Sequence, residues 1–229
     1  MIGGASTLRG QRGYSCAMCA SYGLDPRFGD YSSFARINDR EILDGLRSFA
    51  EKNAGETLRP TGKNLKNLNP IVRDAGDGPA VEFAWWGYLV GGEPAKFPSI
   101  NTRSERLQER PAALAGRALV PATSWFELQK PSRIWYRFDL DELELFTMAA
   151  VTQRGVPTGG EPVTCYSVIM QPARADHVVI HDRMPLLIPT DFAEEWLAPD
   201  REPTRQFVDA ALDAGQEMTA RVRAAEVAA

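Results

Sequence analysis

Trp135–Leu140 (WYRFDL), Leu143–Thr152 (LELFTMAAVT) and Val163–Met170 (VTCYSVIM) decide the fold class. Each run is short, rich in aromatic and β-branched residues, and bounded by turn formers, the composition of strands rather than helices. On either side, Val81–Val90, Ala118–Ala122 and Val178–His181 read the same way. These strands follow one another through turns, without the regular intervening helices of a Rossmann sheet, so antiparallel pairing is expected. Helical spacing of Ile42, Leu43, Leu46, Phe49 and Ala50 predicts an amphipathic helix over Asp39–Lys52, with Asp39 as its N-cap. Further helices are expected over Ser104–Leu114, Asp191–Leu197 and Thr204–Val227. The expected class is α+β: a single domain around a curled, barrel-like, mostly antiparallel sheet with peripheral helices. Residues 1–17 show no periodicity and read as an N-terminal extension, dispensable to a domain over 18–229 whose C-terminal helix starts near residue 204.

The 229 residues are 44% hydrophobic and 24% charged, values of a globular chain with room for a core. No apolar run approaches the 18 or so residues of a membrane helix, and Met1–Ser15 has no apolar signal segment. Three cysteines, Cys16, Cys19 and Cys165, are an odd, low count, which fits a reduced, cytoplasmic protein. A net charge of −4 argues against a protein coated all over in nucleic acid. The charge is nonetheless uneven. Asn101–Arg137 carries seven basic and three acidic residues, and Asp191–Ala229 four basic and nine acidic. Arginines make up 21 of the 26 basic residues, and the guanidinium is the better fork for phosphate.

Four stretches place polar, reactive side chains where strands give way to loops: Met18-Cys19-Ala20, Ile100–Glu105, Leu119–Glu127 and Ile180–Pro185. They offer a thiol, an amide, a carboxylate and an imidazole, an inventory for nucleophilic attack, orientation and proton transfer. Plainer roles compete. His181 reads equally well as a hydrogen-bonded strand-end residue, Asn101 or Ser104 as a helix N-cap, Glu127 as half of an ion pair, and Cys19 as a small buried hydrophobe. Trp85 and Trp86 are core residues by default, although alternation turns one of the pair to the opposite face, where it is free to stack. Cys16-x-x-Cys19 with His177 and His181 formally makes a zinc set, but no second C-x-x-C supports it.

Taken together, Met18-Cys19, Trp85-Trp86-Gly87, Asn101-Thr102-Arg103-Ser104-Glu105, Val120-Pro121-Ala122 followed by Trp125-Phe126-Glu127, and His181-Asp182-Arg183-Met184-Pro185 resemble the SOS response-associated peptidase (SRAP) family. The resemblance spans roughly residues 18–200. It implies a barrel-like antiparallel fold, binding of single-stranded DNA, and covalent capture of abasic sites through an N-terminal cysteine, whose amine and thiol close a thiazolidine on the ring-opened sugar. It places that chemistry on Cys19, Asn101, Glu127 and His181, and DNA contacts on Trp86, Arg103, Pro60 and Arg183, with no metal and no cofactor. It also implies a monomer that meets abasic single-stranded DNA rather than a membrane, cytoplasmic and nucleoid-associated when bound. A cysteine peptidase or amidase built on Cys19 and His181 is the alternative reading. The chain departs from the family pattern at Cys19-Ala20-Ser21, where members continue Cys-Gly-Arg, leaving Arg27 as the substitute phosphate contact. Glu127-Leu128 stands where members have Glu-Trp, and Thr57-Leu58-Arg59-Pro60 where they have Asn-x-Ala-Pro. The implied chemistry needs a free α-amine on Cys19, so Met1–Met18 must be absent from the active form.

Overall fold

The computed structural model describes residues 20–29, 40–53, 57–62, 67–95, 99–130, 132–141 and 143–227. Its strands are β1 (Tyr22–Gly23), β2 (Asn69–Asp74), β3 (Pro79–Trp86), β4 (Leu89–Val90), β5 (Glu93–Pro94), β6 (Asn101–Arg103), β7 (Arg117–Ala122), β8 (Ser124–Leu128), β9 (Trp135–Asp139), β10 (Phe146–Gly155), β11 (Val163–Pro172), β12 (Arg183–Pro185) and β13 (Arg223–Glu226). Its α-helices are α1 (Arg40–Lys52), α2 (Ser104–Glu109), α3 (Thr190–Leu197), α4 (Arg205–Ala214) and α5 (Gln216–Arg221).

Five strands close a barrel in the order β10-β7-β2-β3-β11, with β11 returning to β10. All of its pairings are antiparallel except β3–β11. The α+β class and the curled, mostly antiparallel sheet expected from the sequence are both present. Phe146–Val151 is buried on both faces, which is why that run reads as continuously apolar rather than alternating. Glycine ends β3: Gly87 has φ +107°, a conformation closed to most side chains, and its N–H donates to Tyr166 O (2.9 Å). Helix α1 lays Ile42, Leu43, Leu46 and Ala50 against the β2–β3 hairpin.

A second sheet, β1-β8-β9-β13, leans on the barrel. The chain leaves β7 and enters β8 at Thr123. The Thr123 N–H donates to Gly23 O (2.8 Å), and its hydroxyl accepts the Asp25 N–H (3.0 Å). This bend carries Trp125 and Glu127 out of the barrel wall. Trp125 fills the space between the sheets, stacked on Phe138 and edge-on to Phe146.

Several boundaries differ from expectation. Val178–His181 is not a strand. It belongs to a turn in which the N–H groups of His177 and Val178 donate to Arg174 O and those of Ile180 and His181 to His177 O. The helix expected over Ser104–Leu114 stops at Glu109 and resumes as a 3-10 turn over Pro111–Ala115, because Pro111 has no N–H and restricts Arg110 before it. Thr204–Val227 is two helices and a strand rather than one helix. Gly215 lies where a Cβ would come within 2.5 Å of Leu187 O, and after α5 the chain extends to pair β13 with β9. Asp39, the expected cap of α1, and the extension over residues 1–17 lie outside the described residues. No helix among the described residues is long and apolar enough to cross a membrane.

Candidate functional site

Strand β1 sits at the centre of the candidate site. On one side its Tyr22 exchanges both backbone hydrogen bonds with Leu58. On the other, Tyr22 pairs with Trp125, and Phe126 N–H donates to Ser21 O (3.0 Å). The same register, continued toward the N-terminus, sets Ala20 opposite Glu127. Glu127 is only 3% exposed. Cys19, the expected nucleophile, precedes Ala20 in sequence and lies outside the described residues, as do Cys16 and Met18.

Trp86 is the hub that joins β1 to the Asn101 segment. Its ring lies between Tyr22 (5.2 Å) and Tyr166 (6.0 Å), whose hydroxyls meet at 3.2 Å, and its indole N–H donates to Ile100 O (2.9 Å). Its backbone N–H donates to the Thr61 hydroxyl, which donates in turn to Asn67 O. This corrects the expected role. Trp86 is fully buried, as is Trp85 beside it, so the residue organises the site instead of stacking on a base. Asn101, half-buried, opens β6 opposite Val168 of β11. It is not a helix cap: the cap position of α2 is Arg103, which makes no side-chain capping bond, and Ser104 is the first helical residue. Arg103 is exposed. Pro60 is half-buried in the loop against β1, and its carbonyl accepts from Asn67 (3.4 Å).

His181 closes the 174–181 turn with its side chain only 12% exposed. Its Nδ1 accepts the Arg183 N–H (3.1 Å) and lies 3.3 Å from Asp182 Oδ1. Burial lowers its pKa, against the opposing pull of Asp182, so the neutral ring is favoured. With Nδ1 accepting, the ring proton is assigned to Nε2. Two ties hold the turn in place. Gln129, one residue past β8, donates from its side-chain amide to Val179 O (2.9 Å). The Arg183 guanidinium donates to both carboxylate oxygens of Glu105 (2.6 and 2.8 Å). Burial raises the Glu105 pKa, but its own backbone N–H and the Arg183 guanidinium outweigh that and lower it. The expected phosphate contact at Arg183 is therefore corrected: its side chain is 14% exposed and spent on Glu105, a clamp between the His181 and Asn101 segments. Arg27 likewise forks onto Asp25.

Glu105 stands in the sequence only as the end of a motif, and neither it nor Gln129 carries an expected role. Glu105 carries a signal in hindsight, as one of three carboxylates in a strongly basic stretch. No group of three His, Cys, Asp or Glu able to hold a metal occurs among the described residues. His177, half of the formal zinc pair, packs edge-on to Phe138 (5.4 Å), and burial lowers its pKa. Cys165 is buried inside β11, with burial pushing its thiol up to about 11, too high for a nucleophile.

The model of the family described as SOS response associated peptidase matches residues 35–228. A curated protein, abasic site processing protein YoaM of Bacillus subtilis, is 27% identical over 183 residues, covering 76% of this chain and 78% of its own. Among solved structures, a phage-related protein from Bordetella bronchiseptica superposes with a TM-score of 0.60 at 20% identity, covering 92% of this chain and 95% of that one. Another protein from the same organism superposes with a TM-score of 0.58 at 18% identity, covering 76% of this chain and 87% of its own. At these identities the two structures speak to the fold alone.

Proposed function

The chain belongs to the SOS response-associated peptidase family, and from that premise we propose that it captures abasic sites in single-stranded DNA as a covalent adduct on Cys19. Relatives named abasic site processing proteins support the substrate. The observation that carries the reading is a chain of contacts: β1, which follows Cys19 in sequence, pairs with the Glu127 strand, the residue after that strand, Gln129, holds the His181 turn, and Tyr22 of β1 packs on Trp86, which bonds the Asn101 segment.

The abasic sugar is closed for most of its lifetime and must open to an aldehyde. On opening, the anomeric hydroxyl loses its proton and the departing ring oxygen gains one; His181, neutral and protonated on Nε2, is suited to hydrogen-bond that departing oxygen while water carries the proton from one oxygen to the other. The Cys19 α-amine then attacks the aldehyde carbon. Its pKa, about 7.7–8, leaves a useful neutral fraction near neutral pH, unlike a lysine amine at about 10.4. Glu127, in a buried position, relays the amine proton to the departing hydroxyl, and water is lost to give the imine. The Cys19 thiolate adds to the imine carbon, the nitrogen regains a proton, and a five-membered thiazolidine results. That second bond forms within one residue, so proximity favours it strongly. Asn101 orients the sugar without adding charge, and exposed Arg103 meets a flanking phosphate. The amine must be free, so the active form begins at Cys19.

The test is a denaturing gel of protein incubated with an abasic single-stranded oligonucleotide. The expected result is a shifted, heat-stable band with wild-type protein, with Cys16→Ala and with Cys165→Ala, and none with Cys19→Ala. A band that persists in Cys19→Ala overturns the assignment of the reactive residue.

A further inference from the structure

The sheet that carries Glu127 also has an outer face. Alternation turns Trp125 and Glu127 of β8 and Tyr136 and Phe138 of β9 toward the barrel, and leaves Phe126, Leu128, Trp135 and Arg137 on the other side. There a cleft of about 800 Å3 opens, walled by Phe126, Ile134, Trp135, Arg59 and Arg133. A smaller cleft of about 250 Å3, reaching Arg27 and Arg137, shares Phe126 and Thr57 with it, so the two form one groove.

Four features mark this groove as built for a ligand. Trp135, the first residue of β9, is 44% exposed although it pairs with Leu128, and it is flanked by the exposed Ile134. Arg59 and Arg133 are exposed and, among the described residues, form no ion pair. The groove's acidic groups are already engaged: Glu226 accepts from the Tyr136 hydroxyl (2.9 Å), and Asp25 is held by Arg27. Finally, Arg133 adopts φ +61°, a costly conformation for a residue with a Cβ, and the turn is locked around it. Arg133 N–H donates to Gln129 O, Gln129 N–H to Ile134 O, and the Ser132 hydroxyl to Gln129 Oε1. Aromatic faces interleaved with unneutralised arginines are the recognition chemistry of single-stranded nucleic acid.

We propose that this groove is a second contact site for the DNA strand, in which an unpaired base next to the captured nucleotide stacks on Trp135 while Arg59 and Arg133 hold its phosphates. Ser21, one residue from Ala20, lines the same cleft, so the groove begins beside the candidate site. Gln129 links the two, because its backbone closes the Arg133 turn while its side chain holds the His181 turn. The proposal rests on the function proposed above for the identity of the polymer.

The experiment is fluorescence anisotropy of a labelled, undamaged oligothymidylate over a range of salt concentrations, run beside the denaturing gel with the abasic strand. Trp135→Ala is expected to raise Kd about 5- to 150-fold, the value of one stacked base, and Trp135→Phe to recover most of it. The double variant Arg59→Ser/Arg133→Ser is expected to reduce the slope of log Kd against log salt by roughly 1.4, for two single-strand phosphates. Parental Kd and parental salt slope in both Trp135→Ala and the arginine pair overturn the groove, and an undiminished crosslink on the gel then leaves the capture reading standing. Binding that depends on Trp135 in a protein that forms no crosslink keeps the groove and removes the capture reading. A parent protein that does not bind the undamaged strand overturns the groove whatever the gel shows.

Discussion

His181 depends on its neighbours for both tautomer and place. Arg183 fixes each: its backbone N–H occupies Nδ1, and its guanidinium anchors the turn to Glu105. Arg183 and Glu105 thus act as positioning residues. Glu105→Gln keeps the shape and removes the charge, and is expected to slow capture of abasic DNA by up to about 10²-fold while binding of undamaged strand is unchanged. Glu105→Asp should recover part of that rate, and a parental rate in Glu105→Gln would contradict the role. Arg103→Ala is expected to do the reverse, weakening binding and reducing the salt slope by roughly 0.7. The histidines also set a pH dependence. Burial lowers the pKa of His181 and His177 from the unfolded value of about 6.5, so the unfolded chain takes up protons first as pH falls. Their contribution to stability is complete above that value and is lost as pH drops through the lowered pKa values. Urea midpoints should therefore fall as pH is taken below about 6.5, and His177→Gln should flatten that fall. At this scale the sequence exposes residue type and order better than orientation. Asn101, Glu127 and His181 stand in their motifs in plain view, whereas the burial of Trp86 and the pairing of Arg183 with Glu105 depend on segments far apart in the chain.

Arg117 shows how elements are joined. It is buried at the start of β7, and its guanidinium donates to the carbonyls of Leu114, Trp196, Ala198 and Arg201, gathering the 3-10 turn and the end of α3 onto the barrel. It is thus not part of any anion-binding surface, although it contributes to the basic count of Asn101–Arg137. Arg117→Leu orphans several of these carbonyls at once and is expected to cost about 2–4 kcal/mol, read as a lower urea midpoint at unchanged m-value. A midpoint within error of the parent would show that water replaces the guanidinium. The long strands are legible because runs such as Phe146–Val151, mostly apolar and too short for a helix of their own, are bounded by turn formers. Strands β1, β6 and β12 span only two or three residues, too few to show any period, and exist because a neighbouring strand accepts them. β13 was hidden in an Ala-rich segment whose helix propensity extends past the point where pairing with β9 takes over.

At the scale of the whole molecule, a closed barrel supplies a rigid wall and a second sheet, bent away at Thr123, carries Glu127 to one face and the Trp135 groove to the other. The polar residues of the site come from segments spread over the chain, so the site forms only when the fold does, and it is set by bonds among those segments more than by any single motif. The central claim is that Cys19, with both amine and thiol free, is where abasic DNA becomes attached. Intact and peptide mass spectrometry of the adduct formed with an abasic oligonucleotide tests it most directly. The expected adduct is a protein chain beginning at Cys19, joined to one oligonucleotide with the loss of one water, with the modification confined to the peptide that starts with Cys19. An adduct on a chain that retains Met1–Met18, or one carried by another residue, would contradict it.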